Sequence, residues 1–316
     1  MAEKKIIVVM GATGAQGGGL VRAILRDKAG PFAARAVTRN PGSDKARALA
    51  DLGADVVAAD ADDPKSLDPA FAGAYGAYCV TNFWEHFSGE RESAQAGALA
   101  EASKRAGLQH VVWSTLEDTR KLVPLSDDRM PTLKGKYKVP HFDAKGESDH
   151  FFTDLGLRTT FSLPSFYWEN LIYFGAGPKP GPDGILAITF PLGDAKMAGI
   201  GAEDIGKCVY GMFTRGDAYA GKRVGLAGEH LTCHEMAAKL TRALGREVRY
   251  NAVTPEQYRS FGFPGADDLG NMFQFYRDFD SLVNGLRDVG ESRKLNPELQ
   301  SFDQWLAEHA RLIPLE

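Results

Sequence analysis

Cysteine is scarce: three residues in 316, Cys79, Cys208 and Cys233, scattered and in no CxxC pair. An odd, dispersed set argues against a disulfide framework and for a reducing compartment. Cys79 lies inside an apolar, strand-like run and reads as a small core side chain. No apolar stretch is long enough to span a bilayer. The first strand starts within a few residues of Met1, which leaves no room for a signal peptide; the expectation is a cytoplasmic protein without a membrane partner. Charge of one sign is also lacking. Thirty-seven Lys and Arg face 41 Asp and Glu, for a net charge of −4, so there is no global footprint for nucleic acid. Nucleophile elbow, Walker loop and aromatic–basic stripe are all missing. The seven histidines, at 86, 110, 141, 150, 230, 234 and 309, include no HExxH pair. His230 and His234 stand four apart, but Thr232 marks a helix start between them, so no metal site is expected.

What is present is ordinary globular composition, 44% hydrophobic and 25% charged, over a length that suits one large domain or a domain with an appendage. The stretch from Lys5 to Gly19 organises the rest. Lys5 to Met10 is a short β-branched apolar run, the mark of a buried parallel strand. Gly11-Ala12-Thr13-Gly14-Ala15-Gln16-Gly17 follows, and then Leu20, Val21, Ile24 and Leu25 recur at helical spacing. Strand, glycine turn and helix form the dinucleotide-binding pattern: Gly11 allows the tight turn, Gly14 the approach of a pyrophosphate, and Gly17 close packing of helix on strand. The helix start offers free N–H groups and a positive dipole end to the phosphates.

Further strand-like runs occur at Arg35–Thr38, Asp55–Ala59, Ala77–Thr81, His110–Ser114 and Arg158–Leu163. Helical stretches lie between them, including one from about Phe142 to Leu155. Such alternation predicts an α/β protein, a Rossmann doubly wound parallel sheet. Past Pro164 the rhythm breaks. A Gly- and Pro-rich loop from Gly175 to Pro182, two capped helices at Thr232 and Thr254, and an aromatic stretch from Phe261 to Phe279 suggest a smaller carboxy-terminal α/β lobe. The expected division is a nucleotide-binding domain over 1–164 and mainly a substrate- or partner-binding lobe over 165–316, with some segments returning to the first sheet.

The second strand ends in Thr38-Arg39-Asn40, with no acid at its tip to hold a ribose diol. Arg39 is placed to pair with a 2′-phosphate, with Thr38 adding a hydroxyl, so the expected cofactor is NADP(H). Asp60 and Ala61, at the end of the third strand, border the adenine. Ser114, at the end of the fifth, can supply a hydroxyl.

With these residues in hand, the chain resembles the NmrA-like family of atypical short-chain dehydrogenases/reductases, and most of all its HSCARG branch, described as an NADPH sensor. The resemblance rests on Gly11–Gly17, Val37-Thr-Arg-Asn-Pro41, Val80-Thr-Asn-Phe-Trp-Glu85, His141-Phe-Asp-Ala-Lys-Gly-Glu147 and Tyr167-Trp-Glu-Asn170. It implies that Thr81, Asn82 and Phe83 lie along the cofactor, Lys145 beside the nicotinamide ribose, and Tyr167, Trp168, Glu169 and Asn170 near the nicotinamide. Ala94 stands where the human-type pattern has a lysine. The usual proton donor is a tyrosine four residues before the lysine; here that position is His141. Lys145 and His141 are therefore the candidate catalytic pair. Two readings follow: a redox sensor whose conformation or regulatory protein partner depends on the nucleotide, or an NADPH-dependent reductase of a quinone or another small, electron-poor apolar acceptor. Monomer and homodimer both stay open.

Overall fold

The computed structural model describes residues 3–315. The first half runs β1 (Lys5–Val9), α1 (Ala15–Arg26), β2 (Phe32–Thr38), α2 (Asp44–Asp51), β3 (Asp55–Ala58), α3 (Pro64–Phe71), β4 (Gly76–Cys79), α4 (Gly89–Arg105), β5 (His110–Ser114), α5 (Pro140–Glu147), α6 (Asp149–Asp154) and β6 (Thr159–Leu163). Local chemistry sets the helix starts. Ser43, Asp63 and Ser88 accept backbone N–H groups at the heads of α2, α3 and α4, and Pro64 and Pro140 occupy the first turns of α3 and α5. The single helix expected over 142–155 is two. Ser148, whose hydroxyl donates to the Ala144 carbonyl, marks the break.

The second half runs β7 (Phe166–Tyr167), α7 (Asn170–Tyr173), β8 (Lys179–Pro180), β9 (Leu186–Phe190), β10 (Lys196–Ile200), α8 (Ala202–Arg215), β11 (Arg223–Gly225), β12 (Glu229–Thr232), α9 (Cys233–Leu244), β13 (Val248–Ala252), α10 (Pro255–Arg259), α11 (Ala266–Asp278), α12 (Asp280–Leu286), α13 (Val289–Leu295) and α14 (Phe302–His309). Its helices α9, α10 and α14 open with complete capping boxes at Thr232, Thr254 and Ser301.

Seven strands form one sheet in the order β11-β6-β5-β4-β1-β2-β3, and every neighbouring pair is parallel. Strands β4, β5 and β6 are buried along their whole length, as helices on both faces require. Strand order reverses between β1 and β4, the point at whose carboxyl ends sheets of this kind take their ligands. Two three-stranded sheets, β12-β10-β7 and β13-β9-β8, belong to a second core that includes Phe166, Trp168, Phe190, Phe273 and Trp305. Strand β11 adds to the edge of the main sheet, and α8 packs on α1.

Gly19 and Gly206 explain how close that helix pair lies. A Cβ on Gly19 would sit 2.8 Å from the Glu203 carbonyl oxygen, and one on Gly206 would collide with the backbone of Gly19 and Leu20. Backbone cannot yield as a side-chain tip can. Gly206→Ala is therefore expected to destabilise the fold by about 1–3 kcal/mol, the usual range for overpacking. An unchanged urea midpoint would contradict this reading of the crossing.

Candidate functional site

The glycine loop lies at the β1/β4 reversal. Gly11 has φ +60°, a left-handed conformation, and Val80 would lie only 3.2 Å from a Cβ there. The Gly14 N–H donates to the Gly11 carbonyl at 2.9 Å, closing the turn. Gly14 caps α1 with no side-chain acceptor, and Gly11, Gly14 and Ala15 are exposed. A Cβ on Gly17 would stand 2.5 Å from the Gly11 oxygen, so only glycine allows the helix this near the turn. Ala12 is buried, and its N–H donates to Val37 O; Thr13 is half-buried. The arrangement is an uncapped helix start beside an exposed glycine turn, and it fits a pyrophosphate.

Gln16 turns inward instead. Its side-chain oxygen accepts from the hydroxyls of Tyr78 and of Ser114 (3.0 Å), and its amide donates to the Tyr167 hydroxyl at 2.5 Å. Burial pushes both phenols upward in pKa, so neither is an acid for neutral pH.

At the opposite edge, the Arg39 guanidinium makes a bidentate pair with Glu85, at 2.8 and 2.7 Å. Hydrogen bonding to Arg39 holds the Glu85 carboxyl below its ordinary range. Asn40 closes an Asx turn onto the Gly42 N–H, and its own N–H donates to Thr38 Oγ1. The Asp60 side chain accepts from the Asp62 N–H, and Ala61 is half-buried in that turn. Asp62 in turn is held by Arg91 and Gln95 of α4.

Beyond β4, Lys145 is buried and fully engaged. Its Nζ lies 2.6 Å from Glu92 Oε1 and donates to Thr81 O (3.0 Å) and Oγ1 (2.7 Å). Glu92 is wholly buried, and its second oxygen has no hydrogen-bond partner. It faces His86 Nε2 at 3.6 Å. The Ser88 N–H donates to His86 Nδ1, so the neutral ring carries its proton on Nε2, toward Glu92. His141 is oriented separately. Both its Nδ1 (2.6 Å) and its backbone N–H (3.2 Å) bond to Asp268 of α11. Its ring packs 4.7 Å from Trp84, with Phe83 beyond. A cavity of about 270 Å³ lies alongside, lined by Phe83, Phe87, Pro140, Pro264, Gly265 and Asp268 among others. Phe87 and Lys134, which also lines it, are non-glycine residues with φ of 54° and 49°, strain held at the mouth of this cavity.

The structure thus gathers Gly11–Gly17, Ser114 and Tyr167 at the strand reversal, and Thr81, Phe83, His141 and Lys145 beside them. Asn82 is exposed next to Thr81, and Asn170 opens α7 half-buried. Trp168 and Glu169 go elsewhere. Trp168 is buried against Phe302 and Trp305 in the second core, and Glu169 accepts from Ala202 N–H and Trp305 Nε1. Tyr78, Glu92 and Asp268 carry no motif signal that would have singled them out. Glu85 lay inside a quoted motif, but only the fold brings it to Arg39. Among the described residues no cluster suits a metal ion, and no helix is long and apolar enough to cross a membrane.

Known proteins place this arrangement. The sequence pattern of the NmrA-like family matches residues 3–306. An NmrA-like family domain-containing oxidoreductase, FrzB of a Cladobotryum species, is 29% identical over 85% of this chain and 83% of its own length. A protein of Dictyostelium discoideum described only as containing the family's domain is 26% identical over 96% and 97%. Among solved structures, the negative transcriptional regulator NmrA in complex with NADP superposes with a TM-score of 0.76, at 25% identity, over 98% of this chain and 95% of its own. An NADPH-dependent quinone oxidoreductase of Escherichia coli shares the fold at 0.69 and 23%, over 97% and 98%. Family pattern, relatives and fold agree along nearly the whole length, and the chain belongs to the NmrA-like family.

Proposed function

We propose that the protein binds NADP(H) at the β1/β4 reversal and acts as a nucleotide-responsive regulator, as the HSCARG-like motifs suggest. The Gly11–Gly17 turn and the head of α1 would hold the pyrophosphate, Arg39 with Thr38 the 2′-phosphate, and Thr81 with Lys145 the nicotinamide ribose. Bound NADPH would bring a hydride beside Tyr167. One observation carries the regulatory reading: among the described residues the hydrogen-bond partners of Lys145 are Glu92 and Thr81, and none is a phenol. The phenols nearest the loop, Tyr78 and Tyr167, are tied to Gln16 and shifted away from acidity. Binding is built; proton donation by a lysine-activated tyrosine is not.

A second reading has its own support. The His141–Asp268 pair is an oriented imidazole beside an aromatic-lined cavity, and such a pair can donate a proton to a small acceptor. The two readings separate when NADPH-loaded protein is followed by nicotinamide fluorescence against quinones, enals and aldehydes. Persistent fluorescence, with different hydrogen-exchange patterns in the NADP⁺ and NADPH complexes, is the expected result. Rapid loss renewed by fresh NADPH would make the protein a reductase. The Arg39 assignment has a separate check: Arg39→Ala should weaken NADPH about tenfold or more, the worth of a charge-assisted hydrogen bond, while leaving NADH nearly unchanged. Equal loss for both nucleotides would remove it.

A further inference from the structure

We propose that Glu85 sets nucleotide selectivity: its carboxylate holds the Arg39 guanidinium until a 2′-phosphate displaces it, and that exchange is felt by the second lobe. This rests on the NADP(H) reading and adds to it a residue outside the ordinary phosphate clamp.

The pair is built to be exchanged. Arg39 and Glu85 meet with ideal bidentate geometry, yet their side chains are 56% and 41% exposed. An exposed pair of this kind shifts an equilibrium by about fivefold at most. A phosphomonoester brings about −1.5 to −2 charges and three acceptor oxygens, so it outcompetes a single carboxylate for the fork of N–H groups. The ribose of NAD(H) brings hydroxyls alone, and against it Glu85 keeps Arg39. The surrounding charge sharpens the contest. Asp60 and Asp62 also act on Arg39, and Arg91 is occupied with Asp62. With Glu85 present this edge holds two guanidinium groups against three carboxylates. Neutralising Glu85 therefore both frees Arg39 and removes a repulsion.

The exchange does not stay local. Glu85 ends a tight turn over Phe83–Glu85. Its neighbour Trp84 packs on His141, and a Cβ on Gly265 would lie 2.9 Å from the Trp84 ring. His141 is bonded to Asp268 of α11. Releasing Glu85 loosens the turn that bears on the second lobe.

Adenosine 2′,5′-bisphosphate and 5′-AMP differ by the 2′-phosphate alone and are the probes. By calorimetry, Glu85→Gln should bind the bisphosphate about 2–5-fold tighter than the wild type, with 5′-AMP unchanged. In an Arg39→Ala background the gain should disappear. Hydrogen exchange over 83–89 and 264–270 should change in the wild type with the bisphosphate and not with 5′-AMP. A wild type that binds the bisphosphate while Glu85→Gln shows no gain, or an equal gain without Arg39, would overturn the proposal alone. A wild type that binds neither probe would overturn the NADP(H) reading and the proposal with it.

Discussion

Arg287→Met is expected to lower the free energy of unfolding by about 3–5 kcal/mol, because it strands a buried carboxylate. Arg287 is fully buried at the end of α12. Its guanidinium makes a bidentate pair with Glu117, on the segment after β5, and donates to the carbonyl of Pro164. The contact ties the segment after β5 to the end of α12. Burial alone would push the Glu117 carboxyl up; the charge and hydrogen bonds of Arg287 outweigh it and hold the carboxyl below its ordinary value of 4.5. A carboxyl depressed in the folded state stabilises above its unfolded pKa and loses that contribution as pH falls through the folded value. In Arg287→Met burial is opposed only by a backbone hydrogen bond and the charge of Arg223, so the Glu117 carboxyl rises from its wild-type value. The deficit against wild type should therefore be greatest at neutral pH and shrink as pH drops below about 4.5. Urea unfolding at pH 7 and pH 4 measures both parts. A deficit independent of pH would mean lost packing, not a stranded charge.

Much of this molecule is legible from residue order because its central sheet is made of local units. Lys5–Val9 and His110–Ser114 fall where apolar runs placed them, since a strand covered on both faces needs little beyond continuity of apolar residues; Asp55–Ala58 falls there too, although it is the sheet's half-exposed edge. Glycine at 11 and 17 identifies the loop by a steric demand that only glycine meets, a left-handed φ at the first and backbone 2.5 Å from a Cβ at the second. The break at Ser148 was not legible, because a serine bonding back within its own turn looks the same in either context. Nor was the route of 166–170. Tyr167 and Trp168 are adjacent in sequence, yet strand alternation sends one toward Gln16 and the other into the second core. The site's carboxylates were hidden most thoroughly. Glu92 reads as one of two acids in the first turn of α4, where solvated acids are common. Only assembly of α4 against α5 reveals it as the partner of Lys145.

Glu92→Leu tests whether that partnership is a device for function or for stability. The wild-type ammonium is buried against the Glu92 carboxylate, Thr81 and the face of Trp113, 5.3 Å from its centroid. Removing the carboxylate leaves a cation with two neutral oxygens and a ring, a loss of about 3–5 kcal/mol in unfolding free energy. Lys145→Met should cost as much for the opposite reason. Glu92, already short of a partner on one oxygen, would keep only Thr81 and the loosely placed His86. The double replacement removes both charges, and buried pairs exchanged for apolar residues are often neutral or better. It should recover most of the loss, a coupling of about 3 kcal/mol or more in a double-mutant cycle. If the double variant is as unstable as the sum of the singles, the two residues matter through packing and the pair is not the cause. If it recovers stability but no longer binds NADPH, the fold could dispense with this ion pair. Its presence at the carboxyl end of β4 then answers to the nucleotide, not to folding.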